Sequence, residues 1–314
     1  MKTISNSAND ENSPPQLHLP VFLHDVLTVF RTKQGPVNNI FDGTFGRGGH
    51  TRALMEEWPE AHLVAFDRDE DALVFGREAF KAEIASGRLD LVHSSYLDFD
   101  QELKRLEGLK DNNRFDLMLL DLGVSSPQLD EAQRGFSFYH DGPLDMRMDQ
   151  REELTAADII NTWDEEDLAR LFIEYGEVHK PYRVVRAIVH DRKNRKPFTS
   201  TRELASMIER VDGWQKKGSH PATRYFLALR MKVNEELFTL TKAVPDLIDG
   251  LAPGGILAII TFHSLEDRIV KNLFKSQLHL GKLVNKKVIK PSEEEVRTNP
   301  RARSAKLRAF EKGL

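Results

Sequence analysis

Two periodicities share this chain. Short, nearly all-apolar runs at residues 37–41, 63–66, 89–92 and 115–120 have the length of buried strands, and 255–262 is the clearest of the kind. Between the first four lie stretches with apolar residues at helical spacing, notably 69–84 and 99–109. Ahead of them, residues 17–31 carry Val21, Phe22, Val26, Leu27 and Phe30 at helical spacing, which predicts a helix packed on the core. Strands that alternate with helices and are apolar on both sides predict an α/β fold, a parallel sheet covered on both faces.

The rhythm stops after Asp121. Residues 123–149 are loop-like, punctuated by Pro127, Gly135, Gly142 and Pro143, and 155–207 are helical in pattern without a strand. Thr162 or Asp164 is a candidate cap for a helix carrying Leu168, Leu171 and Phe172, and further helices are predicted at 182–189 and 201–211. The α/β pattern resumes with one long helix at 221–240, the strand at 255–262 and a closing strand at 307–310. The predicted division is a Rossmann-like sheet domain from 17–134 and 220–314, a mostly helical insert at 135–219, and a leader at 1–16. The leader is rich in Asn, Ser and Pro and is expected to be disordered.

Composition narrows the classes. The chain has 314 residues and 40% apolar content, enough for a large core and more than one domain. Its formal charge of −4 gives no global attraction to nucleic acid, so any such attraction is local. With no cysteine, disulfides, thiolate metal sites and a cysteine nucleophile are excluded, and no metal is expected. No apolar run approaches membrane-spanning length and residues 1–16 are polar, so the expectation is a soluble, cytoplasmic protein.

The chemistry centres on Phe41-Asp42-Gly43-Thr44-Phe45-Gly46-Arg47-Gly48-Gly49-His50. Strand, glycine-rich turn and helix in succession make a nucleotide-type cofactor loop, although the same glycines would also serve a plain tight turn. It is not the dinucleotide fingerprint, because Thr51 stands where the third glycine belongs. It also lacks the Lys-Ser/Thr of a P-loop, and Asp42 would repel a pyrophosphate. A nucleoside with a positive charge and no phosphate fits, and S-adenosyl-L-methionine is one. Asp67, ending the second strand, suits a ribose diol. Asp42, Asp67, Tyr96 and Asp121 all follow strand ends, where ligands of such sheets sit.

The loop Asp121-Leu122-Gly123-Val124-Ser125-Ser126-Pro127-Gln128 follows the fourth strand, where a methyl acceptor would lie; it is equally a turn leaving the sheet. A base amino group is a poor nucleophile, and acceptors such as Asp121 or Gln128 on its hydrogens would free its lone pair. His263 ends the strand at 255–262 and is a candidate to face the site or to hydrogen-bond at the next helix, which Ser264 and Asp267 are expected to cap. Basic charge gathers in two segments, one with Lys180, Arg183, Arg186, Arg192, Lys193, Arg195, Lys196 and Arg202, the other with Arg297, Arg301, Arg303, Lys306 and Arg308. They are solvated faces or a phosphate-binding track. Arg192, Lys193, Arg195, Lys196, His263, Arg301 and Arg303 are the RNA-contact candidates, and Tyr139, Trp163, Tyr182 and Trp214 are candidate stacking residues.

The stretches FDGTFGRGGHTRALM (41–55), AFDRDEDAL (65–73), LLDLGVSSPQLDEAQRGFSF (119–138), DGPLDMRMD (141–149), HPATRYFLALRMKVNEEL (220–237), ITFHSLEDRIVK (260–271) and NPRARSAKLR (299–308) carry a resemblance. Over about residues 17–310 the chain resembles the bacterial 16S rRNA cytosine-N4 methyltransferases known as RsmH or MraW. The resemblance implies an S-adenosyl-L-methionine-dependent methyltransferase sheet with a helical insert that recognises substrate. The substrate implied is a cytosine in the decoding region of small-subunit rRNA, methylated on its exocyclic nitrogen. Cofactor contacts are implied for Gly48, Gly49, His50, Asp67, Tyr96, Asp121 and Gln128. Tyr96 stands where Phe is usual, Leu227 where Gln is usual and Ala302 where Ser is usual. A nicotinamide-dependent dehydrogenase and a non-catalytic ribosome assembly factor that binds the cofactor are the competing readings. Whether the protein works as a monomer or a homodimer is open.

Overall fold

The computed structural model describes residues 20–106, 109, 114–213 and 220–313. The leader at 1–16, the start of the helix expected from residue 17, part of the helix expected at 99–109, and Trp214 lie outside the described residues. The strands are β1 (Asn39–Asp42), β2 (His62–Asp67), β3 (Leu89–His93), β4 (Phe115–Asp121), β5 (Leu251–Thr261), β6 (Gly281–Leu283) and β7 (Lys306–Lys312). They form one seven-stranded sheet in the order β3-β2-β1-β4-β5-β7-β6. β1 to β5 run parallel, while β7 pairs antiparallel with both β5 and β6. The sheet is therefore mixed rather than all-parallel, and the short β6 has too little apolar pattern to read from sequence.

Helices of the sheet region are α1 (Leu23–Phe30), α2 (Gly49–Glu57), α3 (Glu70–Ala79), α4 (Lys81–Ala85), α5 (Phe99–Leu103) and α6 (Ser126–Asp130). The helical region comprises α7 (Ala156–Thr162), α8 (Glu165–Glu174), α9 (Tyr182–Asn194), α10 (Thr201–Asp212) and α11 (Ala222–Val233). The chain returns through α12 (Glu236–Gly250), α13 (Ser264–Ser276) and α14 (Glu293–Thr298). The pleat of β4 sends successive side chains to opposite faces. Leu117 and Leu119 join Val26, Phe30 and Leu54 on one side; Met118 and Leu120 join Phe41, Leu247 and Phe274 on the other. A third core, built from α7 to α11, contains Ile160, Phe172, Ile188, Leu204 and Tyr225.

That third core runs from Phe136 to Val233, so α11 packs with the helices before it and not with the sheet. The expected single helix at 221–240 is broken at Asn234 and Glu235, where Glu235 takes φ 47°. Buried Asn234 explains the break. Its amide donates to the carbonyls of Met146 at 2.7 Å and Arg230 at 2.8 Å, and its Oδ1 accepts the Met148 N–H at 2.7 Å. The expected helix at 69–84 likewise divides at Phe80 into α3 and α4.

β1 lies where the strand order reverses, with β2 and β3 to one side and β4 and β5 to the other. Crevices for ligands form at such a reversal, beyond the carboxyl ends of the strands.

Asn234→Ala removes three hydrogen bonds, two of them buried, at the junction of the two regions and is expected to cost about 2–4 kcal/mol. Urea unfolding of the two proteins measures it, and a loss under about 0.5 kcal/mol would show that the junction does not need the amide.

Candidate active site

The crevice is a cleft of about 620 Å³ at the carboxyl ends of β1, β2, β4 and β5, a size suited to a nucleoside-type ligand. Its floor is the glycine loop. Gly46 and Gly48 take φ 54° and 69°, a region open to glycine at little cost. Gly49 lies so close to Pro20 that a Cβ there would come within 2.5 Å of the proline ring. The Phe45 N–H donates to the Phe66 carbonyl at 2.9 Å, which ties the loop to β2.

Asp67 completes this tie. Its Oδ2 accepts the Gly46 N–H at 2.7 Å and its Oδ1 accepts the Asp69 N–H at 2.9 Å. Burial pushes its carboxyl up to about 6, with the two N–H groups only partly offsetting the desolvation. A carboxylate oxygen has room for more than one donor, so both oxygens keep acceptor capacity toward the cleft.

Asp121 stands across from Asp67 at the end of β4, lining the same cleft. Its N–H donates to Thr44 Oγ1 at 2.7 Å, and its buried Oδ1 has no hydrogen-bond partner. His50 Nε2 lies 3.5 Å from Asp121 Oδ2, and both ring nitrogens of this buried histidine are otherwise unpartnered. Gln128 lines the cleft too; its Oε1 accepts the Ser125 N–H at 2.9 Å and its amide donates to Asp69 Oδ2 at 2.6 Å. Tyr96 is buried in the wall, and desolvation raises its hydroxyl above the ordinary phenol range.

Asp67, Tyr96, Asp121, Gln128, Gly49 and His50 thus meet at one cleft. Asp42 and Gly48 do not line it. Asp42 is buried beneath the loop, accepting from the Thr44 N–H at 3.1 Å and Thr51 Oγ1 at 2.7 Å, and burial raises its carboxyl. Gly48 serves the turn itself, packed against Phe45 and Phe80.

His263 also differs from expectation. It is the N-cap of α13, where its Nδ1 accepts the Glu266 N–H at 3.4 Å, and its Nε2 lies 3.0 Å from Glu266 Oε1. Glu266, not His263, faces the cleft. The expected Ser264–Asp267 cap is displaced by one residue because Asp267 instead binds Lys306 at 2.9 Å and Arg308 at 2.7 Å.

The basic segments divide. Arg192 donates to the carbonyls of Ile160 at 2.6 Å and Trp163 at 2.5 Å, so it caps α7 and is not free for a phosphate. Lys193 is exposed, Arg195 lies 3.5 Å from Asp191, and Lys196 lies 3.3 Å from Glu203 on open surface. Arg301 reaches the cleft rim, bonding Ser126 and lying 3.4 Å from Asp130, while Arg303 is exposed. Tyr139 and Tyr182 are exposed at 71% and 53%, whereas Trp163 packs on the helical core.

Sequence reasoning missed Arg68, Met148, Glu236 and Glu266 on the cleft wall. Two signals were available. Arg68 directly follows Asp67, and His263-x-x-Glu266 has capping-box spacing.

A scan against protein families matches residues 15–313 to the MraW methylase family. The ribosomal RNA small subunit methyltransferase H of Bdellovibrio bacteriovorus is 53% identical over 296 residues, 94% of this chain and 88% of that protein. The protein of the same name from Crocosphaera subtropica is 41% identical over 301 residues, covering 95% and 90% of the two chains. Among solved structures, a putative rRNA methylase from Clostridium thermocellum aligns at a TM-score of 0.47 with 10% identity, covering 94% of this chain and 100% of that one.

Because Asp67 holds its proton more tightly in the folded chain than its ordinary value of 3.8, folding takes up a proton between pH 4 and 6. Its contribution is present below that window and is lost as pH rises through about 6. The stability of wild type relative to Asp67→Asn should therefore fall by on the order of 2 kcal/mol from pH 4 to 7. Urea unfolding of ligand-free protein across that range measures it, and a flat or rising difference would contradict the burial of this acid.

Proposed function

Since the chain belongs to the MraW methylase family, we propose that its cleft binds S-adenosyl-L-methionine and that it methylates the exocyclic N4 of a cytosine in the decoding region of small-subunit rRNA. The observation that carries this reading is the pairing, in one cleft, of a loop-bound acid at the end of β2 with a half-partnered acid at the end of β4.

The residues fit this cofactor. Asp67 offers acceptor capacity to the ribose hydroxyls, and Phe45, Ala72 and Phe75 offer an apolar slot for the adenine. The close approach at Gly49 lets backbone meet the ligand, and the acids suit a group that carries positive charge and no phosphate. When bound, the cofactor supplies an electrophilic methyl group whose former bonding electrons stay on sulfur.

The chain's own residues act on the acceptor. The Asp121 carboxylate, a quarter exposed on the cleft, accepts an N–H of the amino group, which draws the nitrogen lone pair out of the ring and holds the proton that must leave. His50 Nε2 stands 3.5 Å from Oδ2 of that carboxylate. No strong base is needed, because the proton can depart after transfer. Phe262, Pro20 and Val21 give the cleft apolar wall surface. Outside the cleft, Lys193, Arg195 and Lys196 stand as the phosphate track and Tyr139 as a stacking surface.

Mass spectrometry of rRNA from cells lacking the protein tests the reading. Wild type is expected to restore the N4-methyl mark and Asp121→Ala to leave it absent. A mark still present in cells lacking the protein would return the non-catalytic assembly role, and restoration by Asp121→Ala would remove Asp121 from the chemistry.

Changing Lys193, Arg195 and Lys196 to Ala should reduce the salt slope of RNA binding by about 1 to 3, with cofactor affinity intact. Arg192 is left in place because its loss would uncap α7. Filter binding across a salt series measures the slope, and an unchanged slope would mean these cations only face solvent.

A further inference from the structure

One wall of the cleft is strongly polar. Arg68 stands on it just after β2, Met148 comes from the loop that enters the helical region, and Glu236 and Glu266 sit in the first turns of α12 and α13. Arg68 Nη1 donates to the Asn234 carbonyl at 2.8 Å, and Nη2 meets Met148 Sδ at 3.0 Å. A thioether is a weak acceptor, and a guanidinium has five N–H groups to place. Among the described residues Arg68 has no ion-pair partner.

Neighbouring arginines are different. Arg230 holds Glu236 through two bonds of 2.9 Å, and Arg134 spreads over Asp69, Asp71 and two carbonyls. Arg68 alone of these three is left with donors and no carboxylate.

Two buried acids share its wall, and each has capacity to spare. Glu236 is 6% exposed and Glu266 1%. Arg230 spans both oxygens of Glu236; Oε2 of Glu266 accepts the N–H groups of Phe262 at 2.8 Å and His263 at 3.3 Å, and His263 Nε2 lies 3.0 Å from its Oε1, which leaves each oxygen its further lone-pair capacity only. Burial opposes the charge on Glu266, but His263, Arg230 and the Phe262 N–H outweigh it and hold the carboxyl below its usual range. Arg68, Glu236 and Glu266 line the same cleft as Tyr96, and Arg68 bonds the carbonyl of Asn234, two residues before Glu236.

We infer that this wall seats the target base, with Arg68 as the specificity-determining donor to ring N3 and the carboxylates of Glu236 and Glu266 facing its amino group. The inference rests on the cytosine reading above. Cytosine presents an acceptor, N3, beside a donor, the amino group; uracil presents N3–H beside the O4 carbonyl. A donor next to carboxylates matches the first pair and opposes the second at both points. A site built to hydrogen-bond rejects the wrong edge because its own buried polar groups are then left unpaired. The extruded base is read by its Watson–Crick edge.

The test titrates cytidine and uridine, each alone, into protein saturated with S-adenosyl-L-homocysteine, followed by NMR. Wild type is expected to favour cytidine about tenfold or more, and Arg68→Met to bring the ratio within about threefold. Affinity for S-adenosyl-L-homocysteine should stay within about threefold in that variant, and Arg68→Lys, which keeps a point donor, should recover part of the preference. A role confined to stapling Asn234 and Met148 would weaken both nucleosides equally and leave the ratio unchanged. The inference is overturned if wild type does not discriminate, if Arg68→Met keeps the preference, or if cofactor-product affinity falls with nucleoside affinity. Failure of the function itself is distinct: wild type would then methylate no cytosine in small subunits at all.

Discussion

A single carboxylate held largely out of water organises this molecule. Asp67 closes β2, and its two oxygens accept N–H groups from the glycine loop after β1 and from the turn into α3. The loop cannot relax away from the strand without leaving that acid unpaired in a poorly solvated place, which is costly. The positive φ of Gly46 is what lets its N–H point there. The floor of the cleft is therefore set before any ligand arrives. The cost appears as the raised proton affinity of Asp67, a burden the fold carries at neutral pH and a ribose diol would relieve.

The opposite wall depends on how the helical region is joined to the sheet. Asn234 breaks the helix that would otherwise run through, and its amide clasps Met146 and Met148. Arg134 and Gln128 both reach Asp69, one residue past Arg68, so the loop after β4, the start of α3 and the entry to the helical region share one polar web. Arg68 touches the same junction through Asn234 and Met148. The cleft and the helical region thus draw on a common frame, and a shift of the helical region would be felt in the cleft.

Much of this was legible in the sequence. The five parallel strands follow from apolar runs, because a strand buried on both faces has no polar alternation to hide it. Asp67, Tyr96 and Asp121 were placed at the cleft by their position after strand ends, and Gln128 by the loop after the fourth strand; all four line it. Position after a strand end does not say which way a side chain turns. Asp42 turned inward because Thr51, one helical turn into α2, offers it a hydroxyl. His263 turned to cap α13 and passed the cleft position to Glu266. Arg192 lay in a basic run yet was drawn to the end of α7, where carbonyls lack partners. The break at Asn234 was hidden because both flanking helices are amphipathic in register, and the reason for it comes from residues nearly ninety positions earlier.

The central claim is that Asp67 holds the ribose of one nucleoside-type cofactor while Asp121 stands in the same cleft where the acceptor meets it. A crystal structure of the protein with S-adenosyl-L-homocysteine tests it most directly. Both ribose hydroxyls are expected on the Asp67 carboxylate, with the thioether sulfur facing Asp121 across the cleft. A ligand seated elsewhere, or a ribose that makes no contact with Asp67, would contradict it.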